Sequence, residues 1–210
     1  MKIVIFGASG KTGKLVALEA LEAGHKVIAY VRNPASLEFE HENLKIVVGN
    51  LSETLKMRDA ISGSDACIST LGGSSLTKHS FEIIQGIDNI INCMELENAP
   101  RFIYLSSLGA GESKYFMPQP IRFIIVNLLL RVPLKDHQIN EQRIVRSKLQ
   151  WTVIRPGGLT DNAKTTDVKY GSEAVVLKGS SSISRASVAF FINQQLSDNQ
   201  FINKNVWLRE

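Results

Sequence analysis

Near its start the chain reads Ile3-Val4-Ile5-Phe6-Gly7-Ala8-Ser9-Gly10-Lys11-Thr12-Gly13-Lys14, and no other stretch constrains the fold as much. Residues 2–6 form a nearly continuous apolar run, as expected of a strand buried on both faces. From residue 12, Leu15, Val16, Leu18, Ala20 and Leu21 recur at three- and four-residue spacing, a helical pattern that runs to residue 23 and stops at Gly24. A strand, a glycine-rich turn and a helix N-terminus in direct succession make an anion cradle. Unpaired backbone N–H groups and the positive end of the helix dipole converge there.

Two kinds of phosphate use such a cradle. A nucleoside-triphosphate loop needs Gly, four residues, then Gly-Lys-Ser/Thr. Gly10-Lys11-Thr12 has Ile5 where the first Gly belongs; Gly13-Lys14 has Ala8 there and Leu15 in place of the hydroxyl. Both frames fail. The spacing Gly7-x-x-Gly10-x-x-Gly13 fits a dinucleotide turn. In that reading Gly7 makes the turn, Gly10 lets a pyrophosphate approach the backbone, and Gly13 lets the helix pack closely on the sheet. Ser9, Lys11 and Thr12 belong to the same loop. The plainer alternative is a turn that only joins strand to helix.

The alternation continues along the chain. Apolar runs at residues 26–31, 45–48, 66–70, 102–105, 152–154, 174–177 and 205–208 read as strands. Helical patterns fall at 52–61, 77–97, 136–147 and 185–196. Alternating strands and helices predict a single α/β domain over residues 1–210, a doubly wound parallel sheet of the Rossmann type. Residues 109–133, rich in Gly and Pro and then strongly apolar, fit neither pattern cleanly. Segments at about 109–135 and 156–180 are expected on the substrate side.

The second strand bears on the cofactor. Enzymes that prefer NAD place an acid at its end for the ribose 2′-OH. Here the chain reads Tyr30-Val31-Arg32-Asn33-Pro34, without an acid. Arg32 stands where a 2′-phosphate would lie, and a guanidinium bonds phosphate bidentately. Lys11 and Thr12 are expected to add to that phosphate site. NADP(H) is therefore expected over NAD(H), the alternative being that Arg32 is only a surface charge.

Composition excludes other classes. The net charge of +4 comes without a dense basic run interleaved with aromatics, so no nucleic-acid partner is expected. Cys67 and Cys93 stand alone without a CxxC, and no His pair has ligand spacing, so reduced buried thiols and no metal are expected. His25, His41 and His79 follow turn or loop signals and read as surface residues. The start lacks a signal-peptide pattern, and the longest apolar run, residues 123–130, falls well short of the ~20 a bilayer span needs. A cytoplasmic protein without a membrane partner is expected.

The motifs GASGKTG (7–13), VRNP (31–34), GNL (49–51), STLGG (69–73), YLSSLGAG (104–111), WTVIRPGGLTD (151–161) and ISR (183–185) together resemble atypical short-chain dehydrogenases. The likeness is to their NAD(P)H-binding, NmrA-like branch, which includes biliverdin-IXβ and flavin reductases. The resemblance implies that Asn50 and Leu51 edge the adenine. It places Thr70, Leu71 and Gly72 beside the adenosine and inner ribose. It also puts Ser107 near the nicotinamide, with Pro156 and Gly157 flanking the nicotinamide amide.

The Tyr-x-x-x-Lys pair of ordinary short-chain dehydrogenases is absent. Tyr30, Tyr104, Tyr115 and Tyr170 are followed four residues on by Pro34, Leu108, Gln119 and Ala174. The candidates left near the nicotinamide are Ser107 and His137. His137 could protonate a reduced product or hydrogen-bond an acidic substrate; the alternative is a water-exposed residue at a helix start. Ser107 could equally satisfy local backbone. A hydrolase built on Ser107, His137 and Asp161 is set aside, because LSSLG lacks the Gly of a nucleophile elbow. The run 116–133, with Phe123, Ile124, Ile125, Leu128 and Leu129, could wall a conjugated acceptor, or serve as core helix or dimer contact. An epimerase acting on a sugar nucleotide is disfavoured, since the chain lacks the ~100 further residues of a substrate domain. Two functions follow. One is an NADPH-dependent reductase passing hydride to a flavin, quinone or bilin-like molecule. The other is a non-catalytic NADP(H) redox sensor acting through a protein partner, with a homodimer also open.

Calorimetric titration tests the cofactor preference. The protein is expected to bind NADPH more tightly than NADH, and Arg32→Ala to weaken NADPH binding about tenfold while sparing NADH. Equal affinities in the unaltered protein would contradict the assignment.

Overall fold

In the computed structural model, which describes residues 1–37, 39–73, 75–176 and 182–210, β1 (Lys2–Phe6) leads through the glycine turn into α1 (Lys11–Glu22). Next come β2 (Lys26–Val31), β3 (Leu44–Val48), α2 (Thr54–Ile61), β4 (Ala66–Ser69), α3 (Phe81–Leu96) and β5 (Arg101–Leu105). A short α4 (Gln119–Arg122) and a π-helical stretch (Phe123–Leu129) precede α5 (Arg131–Arg146) and β6 (Gln150–Pro156). The chain closes with β7 (Gly158–Thr160), β8 (Lys169–Gly171), β9 (Ser182–Ser184), α6 (Arg185–Gln194) and β10 (Lys204–Arg209). Among the described residues no helix is long and apolar enough to cross a membrane.

The main sheet has the order β3-β2-β1-β4-β5-β6-β10-β8. Its strands pair in parallel except at one edge, where β8 runs antiparallel to β10. This is the doubly wound Rossmann-type sheet expected from the sequence. Alternation along β1 divides the core. Ile3 and Ile5 face α1 and α6, where Val16, Ala20, Val188 and Ile192 pack. Val4 and Phe6 face Met57 of α2, Ile87, Ile90 and Met94 of α3, and Ile144 of α5. On α3 the buried Ile84, Ile87, Ile91 and Met94 follow the three- and four-residue spacing of one helical stripe.

Two expectations change. Residues 174–176, expected as a strand, carry no regular structure, and Leu177 lies outside the described residues. The edge strand is β8 instead. It stops at Gly171, where a Cβ would stand 3.0 Å from the Trp207 ring. That indole donates to the carbonyl of Glu173 at 3.0 Å and draws the chain off the sheet. The second change is in α5, which starts at Arg131 rather than residue 136. Pro133 sits in its first turn, where a missing N–H costs nothing. His137 therefore lies inside the helix, not at its opening.

The glycine turn sets a steric demand. A Cβ on Gly13 would stand 2.1 Å from the Gly7 carbonyl oxygen and 2.7 Å from Thr70 Oγ1. Gly13→Ala is expected to lower stability by about 1–3 kcal/mol in chemical denaturation, by overpacking. Gly158, with nothing within 4 Å of its added Cβ, should tolerate alanine to within about 0.5 kcal/mol.

Candidate functional site

Register brings one edge of the sheet into line. Phe6 is level with Tyr30 and Ser69, Ser69 with Tyr104, and Tyr104 with Val153. Gly7, Thr70, Ser107 and Pro156 therefore emerge along the same C-terminal edge, and the strand order reverses between β1 and β4. That reversal is where open α/β sheets hold ligands. Gly7 takes φ +84°, a left-handed conformation that glycine allows. Gly10 N–H donates to its carbonyl at 3.0 Å. Thr70 Oγ1 donates across from β4 to the carbonyls of Phe6 and Gly7, at 3.2 and 3.1 Å. Gly10 caps α1 without any side-chain hydrogen bond, and the first turn holds no acid. At α6, by contrast, Ser184 accepts from Ser187 N–H. The open end of α1 suits a pyrophosphate, whose oxygens supply the acceptors that no side chain provides.

Two cavities meet at this edge. One, of about 480 Å³, is lined by Gly7, Ser9, Arg32, Leu51, Leu71 and Gly72. Leu51 is buried against Gly86 of α3, where an added Cβ would come within 2.5 Å of it. Asn50 is exposed and does not line the cavity. Its backbone is held by Glu53, which accepts from its N–H at 2.6 Å, and by the Tyr30 hydroxyl, which donates to its carbonyl at 3.0 Å. The Arg32 side chain is 73% exposed and lies 3.8 Å from Glu82. That pair is loose enough to yield to a phosphate.

The other cavity, of about 660 Å³, is lined by Thr12, Thr70, Ser107, His137, Pro156 and Gly157, with Met117, Ile125 and Leu130 as an apolar wall. It shares Leu71 and Gly72 with the first, so the two form one groove. Lys11 and Thr12 do not gather beside Arg32. Thr12 faces the larger cavity, and Lys11 Nζ lies 3.2 Å from Asp161. Asp161 also takes Arg185 Nη1 at 2.6 Å, and the hydrogen bond from Lys11 holds its carboxyl below the usual range. The segment 109–135 reaches the groove through Met117, Ile125 and Leu130, and 156–180 through residues 156–159, its residues 177–180 lying outside those described. Phe123, Ile124, Leu128 and Leu129 do not wall the groove but are exposed. A π-helical turn shows its sides in a different rhythm from an α-helix.

Ser107 lies in the wall, its hydroxyl donating weakly to the Leu108 carbonyl at 3.4 Å. His137 is half-buried in the same wall, with Nδ1 2.8 Å from the Tyr104 hydroxyl. Burial holds its pKa below the ordinary value, against the opposing pull of Glu141 and Asp136. The partner of His137 is thus Tyr104, and Asp161 is engaged by Lys11 and Arg185; no hydrolytic triad forms. His79 is exposed, as expected, and pairs there with Asp136 at 2.5 Å.

Sequence reasoning missed the support beneath the groove. Arg155, 2% exposed, donates Nε and Nη2 to Glu141 at 2.9 and 2.8 Å and Nη1 to Glu112 at 2.7 Å. Ser106 donates to the same Glu141 at 2.6 Å. This ties β6, α5 and the end of β5 together behind Ser107. Asn140 and Glu141 follow His137 at three and four residues, the spacing of one helix face, and that was the available signal. Tyr104 gave none, since its role depends on contact with a helix 33 residues away.

A sequence model of a family described as NAD(P)H-binding matches residues 7–199. An uncharacterized chloroplastic protein of Arabidopsis thaliana is 28% identical, the match covering 90% of this chain and 69% of that one. Other relatives are longer, the chain spanning 45% of one and 37% of another. Among solved structures, the anaerobilin reductase ChuY of Escherichia coli O157:H7 superposes with a TM-score of 0.82 at 21% identity, covering 100% of this chain and 97% of that one. A short-chain dehydrogenase/reductase of Veillonella parvula in complex with NADP gives 0.80 at 18%, covering 100% and 94%.

Removing Glu141 leaves the Arg155 guanidinium with a single carboxylate. Glu141→Ala is expected to cost about 3 kcal/mol in denaturant unfolding. A cost below that of an average surface substitution would show that the network does not hold the groove floor.

Proposed function

Since the chain belongs to the NAD(P)H-binding family, we propose that it is an NADPH-dependent oxidoreductase of the cytoplasm acting on a small conjugated acceptor: a flavin, a quinone or a bilin-like molecule. The observation that carries this reading is the open, apolar-walled cleft running on from the phosphate cradle. A cofactor-binding face sealed by side chains would have suited a sensor. The NADP complex of the Veillonella relative and the bilin chemistry in the name of the Escherichia relative lend support.

Bound NADPH supplies a hydride, and a conjugated acceptor delocalises the charge that arrives with it. The residues of this chain bind, orient and exclude water. The N–H groups at the start of α1, with Gly7 and Gly10, would hold the pyrophosphate; Ser9 lines the smaller cavity and Thr12 the larger. Arg32 leaves Glu82 for the 2′-phosphate. Leu51, Leu71 and Gly72 receive the adenosine. Thr70 keeps the turn closed, while Pro156 and Gly157 flank the nicotinamide. Met117, Ile125 and Leu130 cover the acceptor and keep water away from the transfer. Ser107 and His137 orient the acceptor's polar atoms.

A second reading, a sensor that binds NADP(H) and signals through a partner, is favoured by one observation. Phe123, Ile124, Leu128 and Leu129 form an exposed apolar stripe on the segment whose other side walls the cleft.

Steady-state assays separate the two. Oxidation of NADPH that saturates with at least one member of a flavin, quinone and bilin panel is expected. Tight NADPH binding with no turnover across the panel would overturn the reductase in favour of the sensor.

A further inference from the structure

The hydrogen bonds behind His137 determine which of its nitrogens carries the proton. Tyr104 has no exposed surface, so its hydroxyl bonds only to protein. Its oxygen lies 3.0 Å from Nδ2 of Asn140, which can only donate. The tyrosine hydrogen then has one acceptor among the described residues, His137 Nδ1 at 2.8 Å. Turning the Asn140 amide over would reverse this order. It would also leave both amide hydrogens without partners in a residue 2% exposed, whereas the present orientation leaves Oδ1 and one of the two hydrogens without a recorded bond. The difference is one further N–H stranded in place of one carbonyl oxygen, and orphaned buried N–H groups are rarer than under-satisfied carbonyl oxygens, which favours the present orientation. The nearby carboxylates are committed elsewhere. Asp136 is held by His79 and the Ser80 N–H, and Glu141 by Arg155 and Ser106. A neutral imidazole with Nδ1 accepting carries its hydrogen on Nε2, the nitrogen left for a ligand in the cleft.

We propose that Tyr104, oriented by Asn140, is a positioning residue that fixes His137 as a neutral Nε2–H donor. That donor stabilises charge on the acceptor without surrendering its proton. This rests on the reductase reading above and narrows it. If Nε2 gave up its hydrogen, Nδ1 would have to take the proton of Tyr104 and leave a tyrosinate in the core. Burial already pushes the Tyr104 hydroxyl far above the ordinary phenol range. The step balances without that transfer. Two electrons and a hydrogen arrive as hydride at one atom of the conjugated acceptor. Its π-bond shifts, and the negative charge comes to rest on a conjugated oxygen or nitrogen hydrogen-bonded to Nε2–H. The neutralising proton comes from water. The acceptor must therefore carry a carbonyl oxygen or an imine-type nitrogen in conjugation with the atom that receives hydride. An alkene lacking such an atom is not a substrate.

Long-range ¹H–¹⁵N spectra of the intact protein at pH 7 test the arrangement before any substrate is known. The His137 ring is expected as the Nε2–H tautomer. An Nδ1–H tautomer or an imidazolium would overturn the proposal, and because this is read on the unaltered protein the outcome does not depend on a variant folding. In Tyr104→Phe the Nδ1–H form should appear. Its kcat with a carbonyl-bearing acceptor should fall about tenfold with the KM for NADPH unchanged. An unchanged tautomer, or unchanged kcat, would refute the positioning role. If no acceptor is turned over at all while the tautomer is as expected, the reductase reading fails and the assignment of the His137 donor stands alone.

Discussion

The structure depends on one close approach. The carbonyl of Gly7 lies where the Cβ of residue 13 would be in any other amino acid, and Thr70 reaches over from β4 to bond the same carbonyl. This contact sets the start of α1 against the end of β1 and joins both to the neighbouring strand. It also leaves the first N–H groups of the helix facing outward, with no side chain to satisfy them. At α6, by contrast, Ser184 closes the helix start with its side chain. The open end of α1 has a polar requirement that only solvent or an anion meets, and the close packing that creates it explains the glycine spacing.

A second constraint lies beneath the other end of the groove. Arg155 and Glu141 are both almost fully buried, so neither charge is tolerable alone. Together with Ser106 and Glu112 they hold the ends of β5 and β6 and the middle of α5 at fixed separation. Ser107 and His137 stand on the elements so tied. The end of the groove at the glycine turn is therefore built from backbone, and the end at Ser107 and His137 is supported by side-chain ion pairs. The first depends on local spacing, the second on which distant side chains happen to meet.

That division matches what is legible in the sequence. The cradle is legible because each of its parts is local: three glycines, a strand before them and a helix after. The parallel sheet is legible from alternation alone. Less is legible where distant elements meet. The place of Lys11 in the loop points it toward the 2′-phosphate, yet it turns to Asp161, 150 residues on. In sequence Tyr104 is only a tyrosine lacking its lysine, yet it is the hydrogen-bond partner of His137. The apolar run at 123–129 suggests a core helix or a wall, and its π-helical turn sends four large side chains outward.

By itself the sequence determined the doubly wound sheet, the position of the glycine turn that opens α1 and the absence of a Tyr-Lys pair. These follow from residue type and short-range spacing, which act through backbone sterics and periodicity. Only the tertiary structure decided that Tyr104 and Asn140 stand behind His137, that Arg155 is anchored on Glu141, and that the two cavities join at Leu71 and Gly72. Each of these is a contact between elements far apart in the chain. Their partners are chosen by how the helices seat on the sheet, and no periodicity in the sequence records that choice.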